Sequence, residues 1–366
     1  MKKTATIVLL LILCFVTAAP SLVMATEDSW LTKESMNEPR AYLGAAVVKG
    51  KIYAIGGDQG SLTGNAMNAV GMTQQTTNVT EEYDPNLNKW TLKTPMPTAR
   101  ARFGIAVYQN KIYCIGGYSA TIDSGTNYFD VEANEVYNPI TDTWETMTPL
   151  PTPRHSPATN IVNGKIYAIG GYSITTHAIL NVAEVYDPTS NMWATITPPP
   201  QEVGSCASAV IDNKIYALGQ GSDAWQTSIQ VYDPATDSWT IKGSAPVSAF
   251  ASAVVKTGLN GQILIYFFDE NRTDVYNPAD DSWKEGIASP TPRPLAAAVV
   301  IDDFIYVVGG RTGQWGYMTF MYPSALCEQY QPADFIPEFP SWTILPLFLM
   351  ATFSAIFVKK RLNSKP

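Results

Sequence analysis

Few side chains in this 366-residue sequence can move a proton or hold a metal. The only histidines, His155 and His177, fall in two loops of one repeated segment and so can share a face. No carboxylate or cysteine pattern accompanies them, which makes the pair a weak metal signal. Cys14 sits in an N-terminal apolar stretch, leaving Cys114, Cys206 and Cys327, a number that cannot pair off internally. Their spacing matches neither a zinc site nor a disulfide framework. Cys114 stands where parallel segments carry Ala54, Ala168 and Ala217, so it reads as a small buried residue. On these grounds no catalytic residue, metal or cofactor is assigned.

Binding chemistry is better represented. Arg40, Arg100 with Arg102, Arg154 and Arg293 recur just ahead of an apolar run, whereas Val203 and Ala249 stand near that place in two other segments. Arg311 opens RTGQWGYMTFMYP, which crowds Trp315, Tyr317, Phe320 and Tyr322 together. Guanidinium groups take carboxylates in a fork, and exposed aromatic rings suit sugar rings or peptide side chains. Arg40, Arg100, Arg102, Arg154, Arg293, Arg311, Trp315 and Tyr317 are therefore the candidate ligand contacts. The arginines have a second reading, as ties to neighbouring carbonyls or to Glu82, Glu135 and Glu184. The aromatics have one too, as a cover for a central channel or packing on the N-terminal strand. Asn78-Val79-Thr80 and Asn271-Arg272-Thr273 are glycosylation sequons.

The elements that position these residues repeat. GKIYAIGG at 164–171 has near copies at 51–57, 111–117, 214–221 and 304–310, and a degraded one, QILIYFFDE, at 262–270. An apolar run and a two-residue turn (Lys49-Gly50, Gln109-Asn110, Asn163-Gly164, Asp212-Asn213, Asp302-Asp303) precede each intact copy. Gly, Asn and Asp accept the positive φ of such hairpin turns. A tyrosine with Asp-Pro or Asn-Pro follows, then Trp90, Trp144, Trp193, Trp239 or Trp283. Each unit thus reads as four short strands, and its tyrosine and tryptophan as packing between units. SWLTKESMNEPR at 29–40 aligns with KWTLKTPMPTAR at 89–100, while the last unit ends without a tryptophan strand. The strand around Trp30 is expected to complete that unit and close a ring, removing an open sheet edge.

Glycine pair, tyrosine-proline turn and tryptophan at a period of roughly fifty residues resemble the kelch repeat over about 29–335. That resemblance implies an all-β, six-bladed β-propeller closed by the N-terminal strand. It also implies that the loops between second and third strands, and between fourth and first strands, share one face, commonly the ligand face. Those between second and third strands are long at 58–79, 118–134 and 311–326, so units six, one and two are expected to raise one wall.

The ends have other jobs. Met1–Ala25 has two lysines, an apolar core and a small-residue end, as a signal peptide does. After the propeller (26–335) and a Pro-rich linker (336–340), residues 341–358 carry no charge and can form one transmembrane helix. Lys359-Lys360-Arg361 then mark a cytoplasmic tail, 359–366, and put the propeller outside the cell. This tail resembles the anchoring or sorting signals of archaeal surface proteins. Without the six basic residues of the two ends, 18 Lys and Arg face 32 Asp and Glu, which disfavours a nucleic-acid partner. The reading is a cell-membrane, single-pass protein whose extracellular propeller binds or adheres to protein or glycan ligands. The alternative is an exported carbohydrate-modifying enzyme on a kelch scaffold, mutarotase-like or oxidase-like.

Overall fold

Each pass of the repeat builds the same four strands. The computed structural model describes residues 29–60, 75–122, 126–220, 227–246, 252–257, 263–268, 273–302, 304–313 and 321–332. The segments 1–25, 336–340, 341–358 and 359–366, on which the expected signal peptide and transmembrane helix fall, lie outside these residues. So do Trp315, Tyr317 and Asn271, and the side chain of Cys206. Among the described residues no helix is long and apolar enough to cross a membrane.

The unit Asp28–Pro332 is all-β, with six four-stranded antiparallel sheets among the described residues. In the first sheet Gly44–Val48 lies innermost, then Lys51–Ile55, Thr80–Asp84 and Lys89–Lys93. The innermost strand alternates buried and half-buried residues, whereas Ile52 to Ile55 on the next are all buried. A strand covered on both faces needs a continuous apolar run, and KIYAI supplies one. Innermost strands stand side by side: Gly44–Val48 against Gly104–Tyr108, then Ala158–Val162, Gly204–Ile211, Ser252–Thr257, Ala297–Ile301, and back to Gly44–Val48. This is a propeller arrangement. The degraded copy also forms its strand, Ile263–Phe268, in the fifth sheet.

The sixth sheet takes its outer strand from the other end of the chain. Ser29–Lys33 pairs with Cys327–Gln331 in the register Ser29↔Gln331 to Lys33↔Cys327, where the sequence places it. The backbone continues the seam, with Met36 N–H donating to Ala325 O and Arg40 N–H to Ser324 O.

A side-chain latch joins successive sheets. Trp90, Trp144, Trp193 and Trp239 donate Nε1–H to the carbonyls of Glu34, Thr94, Thr148 and Thr197 on the preceding sheet, at 2.8–3.0 Å. The N–H groups of those same four residues donate to Oδ1 of Asn88, Asp142, Asn191 and Asp237. The hydroxyls of Tyr83, Tyr137, Tyr186 and Tyr232 hold these acceptors in place. Tyrosine and tryptophan rings of one sheet meet at 4.9–5.0 Å, and the packing expected between units is made by Tyr137 on Tyr53 (5.9 Å), Tyr186 on Tyr113 (6.2 Å), Tyr232 on Tyr167 (5.9 Å) and Tyr83 on Tyr306 (6.1 Å).

Two predictions follow from this seam and latch. Deleting 26–36 bares one strand edge in the sixth sheet and is expected to cost several kcal/mol and promote aggregation. Trp30, half-buried beside Tyr330, should account for only about 1–3 kcal/mol of it on mutation to alanine. Trp90, 4% exposed, should cost about 3–5 kcal/mol. Unchanged thermal melts of the deletion would make the strand a mere linker. In acid, the tyrosine hydroxyl holds the Asp237 and Asp281 carboxyls below their ordinary values, against a smaller effect of burial. Their contribution is therefore present above a pH of about 4 and lost as pH falls through the lowered values. Asp237→Asn, which copies the natural Asn88 and Asn191, should flatten that loss in melts taken from pH 5 to pH 2.

Candidate functional site

The glycine pair fixes where one unit meets the next. Gly56 and Gly57 have φ of 57° and 110°, and a Cβ on them would come within 2.6 Å of Arg100 O and 2.8 Å of Ala41 O. The Gly57 N–H donates to Arg100 O, and Gly117, Gly171 and Gly310 make the same bond to Arg154, Val203 and Arg40. Each arginine then turns its guanidinium into its own sheet. Arg40 reaches Ala54 O and Glu81, and Arg100 reaches Cys114 O and Glu135. Arg154 reaches Ala168 O and Glu184, and Arg293 reaches Val307 O and Glu328. All four arginines are at most 4% exposed. Arg40, Arg100 and Arg154 thus tie neighbouring sheets together, Arg293 braces the sixth sheet through Gly309 O, Leu326 O, Val307 O and Glu328, and none of the four presents a surface to a ligand. The first glutamate is Glu81 rather than Glu82, which bonds Lys51 and Tyr53 instead. Two adjacent glutamates hid which one faces inward.

The fourth sheet lacks the pair and replaces both members. Val203 fills the arginine place, and Gln230 fills the glutamate place, accepting from Gln201 N–H and donating to Gln201 O. A neutral amide satisfies the loop where no guanidinium arrives.

Two residues after the arginine, the chain passes through the left-handed region at Tyr42 (φ 54°), Arg102 (51°), Ser156 (54°) and Leu295 (66°). Bulky residues rarely sit there. A chain of backbone bonds holds them: Tyr42 N–H to Leu295 O, Arg102 N–H to Tyr42 O, and Ser156 N–H to Arg102 O. Their half-buried side chains form the mouth of the ring. A second tier comes from the position right after each glycine pair, Asp58, Tyr118, Tyr172 and Arg311. Backbone bridges Ala41↔Asp58, Ala101↔Tyr118 and His155↔Tyr172 place this tier against the first.

Charge and aromatic rings gather here. The Arg102 guanidinium lies 3.8 Å from the centroid of the Tyr42 ring, with Arg311 at 5.9 Å on the same ring. Arg311 pairs with Asp58 at 2.9 Å and donates to Gly60 O, joining the sixth sheet to the first. Burial pushes the Asp58 carboxyl up, opposed by the Gly60 N–H, Arg311 and the Gln75 N–H. His155 is wedged between the rings of Tyr118 (5.5 Å) and Tyr172 (5.3 Å). Burial, seconded by Arg102, lowers it to about 3, so it is a neutral imidazole at physiological pH. His177 lies apart on an exposed turn. Among the described residues no three His, Cys, Asp or Glu side chains come close enough to hold a metal. Cys114 and Cys327 are buried thiols, which burial pushes up to about 12. Asn78 is half-buried.

Short strand pairs follow the glycine pairs beside the mouth: Tyr118–Ile122 with Thr126–Asp130, Tyr172–Ser173 with Ala178–Ile179, and Arg311–Gly313 with Met321–Pro323. Thr76 bonds Ala120 O, and Asp130 Oδ2 accepts from Ser173, Ile174 and Thr175, so the first three units are laced together. The laced wall extends one unit further than loop length predicts. Tyr42, Asp58, Tyr118 and Tyr172 were not singled out in the sequence. The signal that finds Asp58, Tyr118 and Tyr172 is the varied residue following an unvarying glycine pair, and the one that finds Tyr42 is its place two residues after the recurrent arginine.

This geometry has relatives. A family model, the KLHDC2/KLHL20/DRC7 Kelch-repeats domain, matches residues 45–266. A putative F-box/kelch-repeat protein of Arabidopsis thaliana is 33% identical over 219 residues, 57% of this chain and 60% of that one. The kelch repeat and BTB domain-containing protein 12 of Danio rerio is 31% identical over 149 residues, 39% of this chain and 23% of that one. The chain spans less than two thirds of the length of these curated relatives. The solved structure of YjhT superimposes with a TM-score of 0.59 at 15% identity, covering 80% of this chain and 96% of that one, a likeness of fold alone.

The arginine tie carries a stability prediction. Arg154→Ala leaves Glu184 buried and uncompensated and should cost about 3–5 kcal/mol in chemical denaturation. Arg154→Val with Glu184→Gln, which copies Val203 and Gln230, should recover at least half of that loss. No recovery would mean the charge itself is required.

Proposed function

The chain belongs to the kelch-repeat family, and from that premise we propose that it is a six-bladed propeller acting at the cell surface as a binding module for protein ligands. Kelch propellers generally mediate protein interactions. The observation that carries the reading is the asymmetry of the mouth. In a chain of net charge −8, Arg102 and Tyr42 stand half-buried on one face, backed by His155 and by the Arg311–Asp58 pair, which is itself buried, and the first three units lace that face into a rigid rim. Loops on a rigid scaffold are where binding usually sits. Six sheets whose inner strands return to the first support the six-bladed count.

Location at the surface rests on the sequence of the two ends. A leader at 1–25, an uncharged run at 341–358 and the basic Lys359-Lys360-Arg361 fit export with one membrane crossing and the propeller outside. Ser29 and Gln331 pair at the end of the sixth sheet remote from the mouth, so the mouth faces away from where the described chain starts and stops. Trp315 and Tyr317 remain candidate contacts by sequence alone, and such rings would suit glycans too.

Capture of partners from a surface-protein extract by the full chain tests the reading. Arg102→Ala is expected to lower capture at least tenfold with an unchanged melt, because its side chain is half-exposed. Protease added to intact cells should remove the propeller. Turnover of a sugar by the purified protein, or full protection from protease, would overturn the function or the location respectively.

A further inference from the structure

At the end of the ring remote from the mouth, an open cavity of about 720 Å³ lies where the sixth sheet meets the first. Lys33, Phe304, Tyr306 and Gln329 line its sixth-sheet side. The first sheet shows what fills these places elsewhere in the repeat, since Tyr53↔Glu82 is the register equivalent of Tyr306↔Gln329. There the Glu82 carboxylate accepts from Lys51 at 2.8 Å and from Tyr53 at 2.6 Å, with Lys93 at 3.9 Å, and Asp84 takes Lys51 at 3.3 Å. The sixth sheet keeps the tyrosine and the outer lysine, as Tyr306 and Lys33. It sets Phe304 in place of Lys51, Gln329 in place of Glu82 and Gln331 in place of Asp84. Both carboxylates have become amides.

A second route to a partner is closed as well. Lys242, the fourth sheet's lysine at the same place, pairs with Asp281 of the next sheet at 3.2 Å. Where the fifth sheet has Asp281, the first has Asn88. Among the described residues, half-buried Lys33 thus has no carboxylate partner, whereas Lys93 and Lys242 each have one. The other charges at the cavity are Lys51 and Asp84, bonded to each other, and Lys49 and Asp302. With Lys33 these leave one surplus cation. Burial raises the Tyr306 phenol to about 12, so it keeps its proton and donates.

A cavity of this size with a few converging polar groups suits a small molecule. One surplus positive charge matches a singly charged acid better than a phosphate dianion, and hydrogen bonds to an ionised acceptor are the stronger kind. The Phe304 ring and Leu31, 57% exposed, offer an apolar wall for the rest of the molecule. We propose that this cavity binds a small monocarboxylate with an apolar body, whose carboxylate sits among Lys33, the Tyr306 hydroxyl and the Gln329 amide, where the first sheet has Glu82. The site shares no residue with the mouth, so its failure leaves the binding-module reading untouched.

In the full chain, 3-phenylpropionate, 3-phenylpropionamide and phenyl phosphate serve as probes, read by calorimetric titration and by thermal melts. The acid should bind at least tenfold more tightly than the amide or the phosphate. It should also raise the melt as its concentration rises, because it binds the folded ring. Lys33→Gln should remove the margin over the amide. Gln329→Glu, which restores the carboxylate of the first sheet beside Lys33, should remove it too, with an unliganded melt unchanged or higher. That variant decides the matter if Lys33→Gln lowers the melt. Equal binding of acid and amide, binding of no probe, or tighter binding of the phosphate would overturn the proposal. So would a margin that survives Gln329→Glu, or a Gln329→Glu melt below that of the unaltered chain.

Discussion

A buried guanidinium at the junction of two sheets is the contact on which this propeller depends. Its own backbone carbonyl receives the N–H of the preceding unit's second glycine, while its side chain grips a carbonyl and a glutamate of its own unit. Desolvating such a charge is expensive, and the attraction of one carboxylate does not by itself offset it. Extra carbonyl acceptors close the gap. For Arg40, burial lowers the guanidinium to about 10 against the pull of Glu81, which leaves it charged at neutral pH. Position follows from that demand, since an arginine with several fixed acceptors can occupy only one place.

The fourth sheet shows the same constraint by its absence. With valine and glutamine in place of arginine and glutamate, the loop no longer turns through a left-handed residue, and the innermost strand starts at once with Gly204. All four of its strands run seven or eight residues, against four or five in the first three sheets. The mouth is therefore built by the sixth, first, second and third units. Its asymmetry is a by-product of which units keep the guanidinium, and that asymmetry is what a partner can read.

Ring closure is a separate matter of edges. A propeller assembled from units in sequence leaves one outer strand missing and one spare, and pairing Ser29–Lys33 with Cys327–Gln331 resolves both. The Asp58–Arg311 pair adds a second, fully buried tie across the same junction, joining residues 253 apart in the chain. A long loop closed at two points loses its entropy once and gains both contacts, which makes the seam cooperative.

Local chemistry with a strict period was legible. The glycine pair, the hairpin turns, the tyrosine and tryptophan packing, and the borrowed Trp30 strand each follow from residue type and spacing, because backbone sterics and strand alternation act over a few residues. The chemistry of the face was not. Arg40, Arg100, Arg154 and Arg293 look like ligand contacts in one dimension because a recurrent arginine before an apolar run says nothing about the direction of its side chain. That direction is decided by glycines and carbonyls of a neighbouring unit. Tyr42, Asp58 and Tyr118, unremarkable in their own segments, become a site only when adjacent sheets bring them together. By itself, then, the sequence determined the unit, its repetition and how its ends meet. Which charges are buried in the scaffold and which reach the mouth was decided by tertiary structure, since burial and partner geometry are properties of contacts that the chain makes only once the ring is closed.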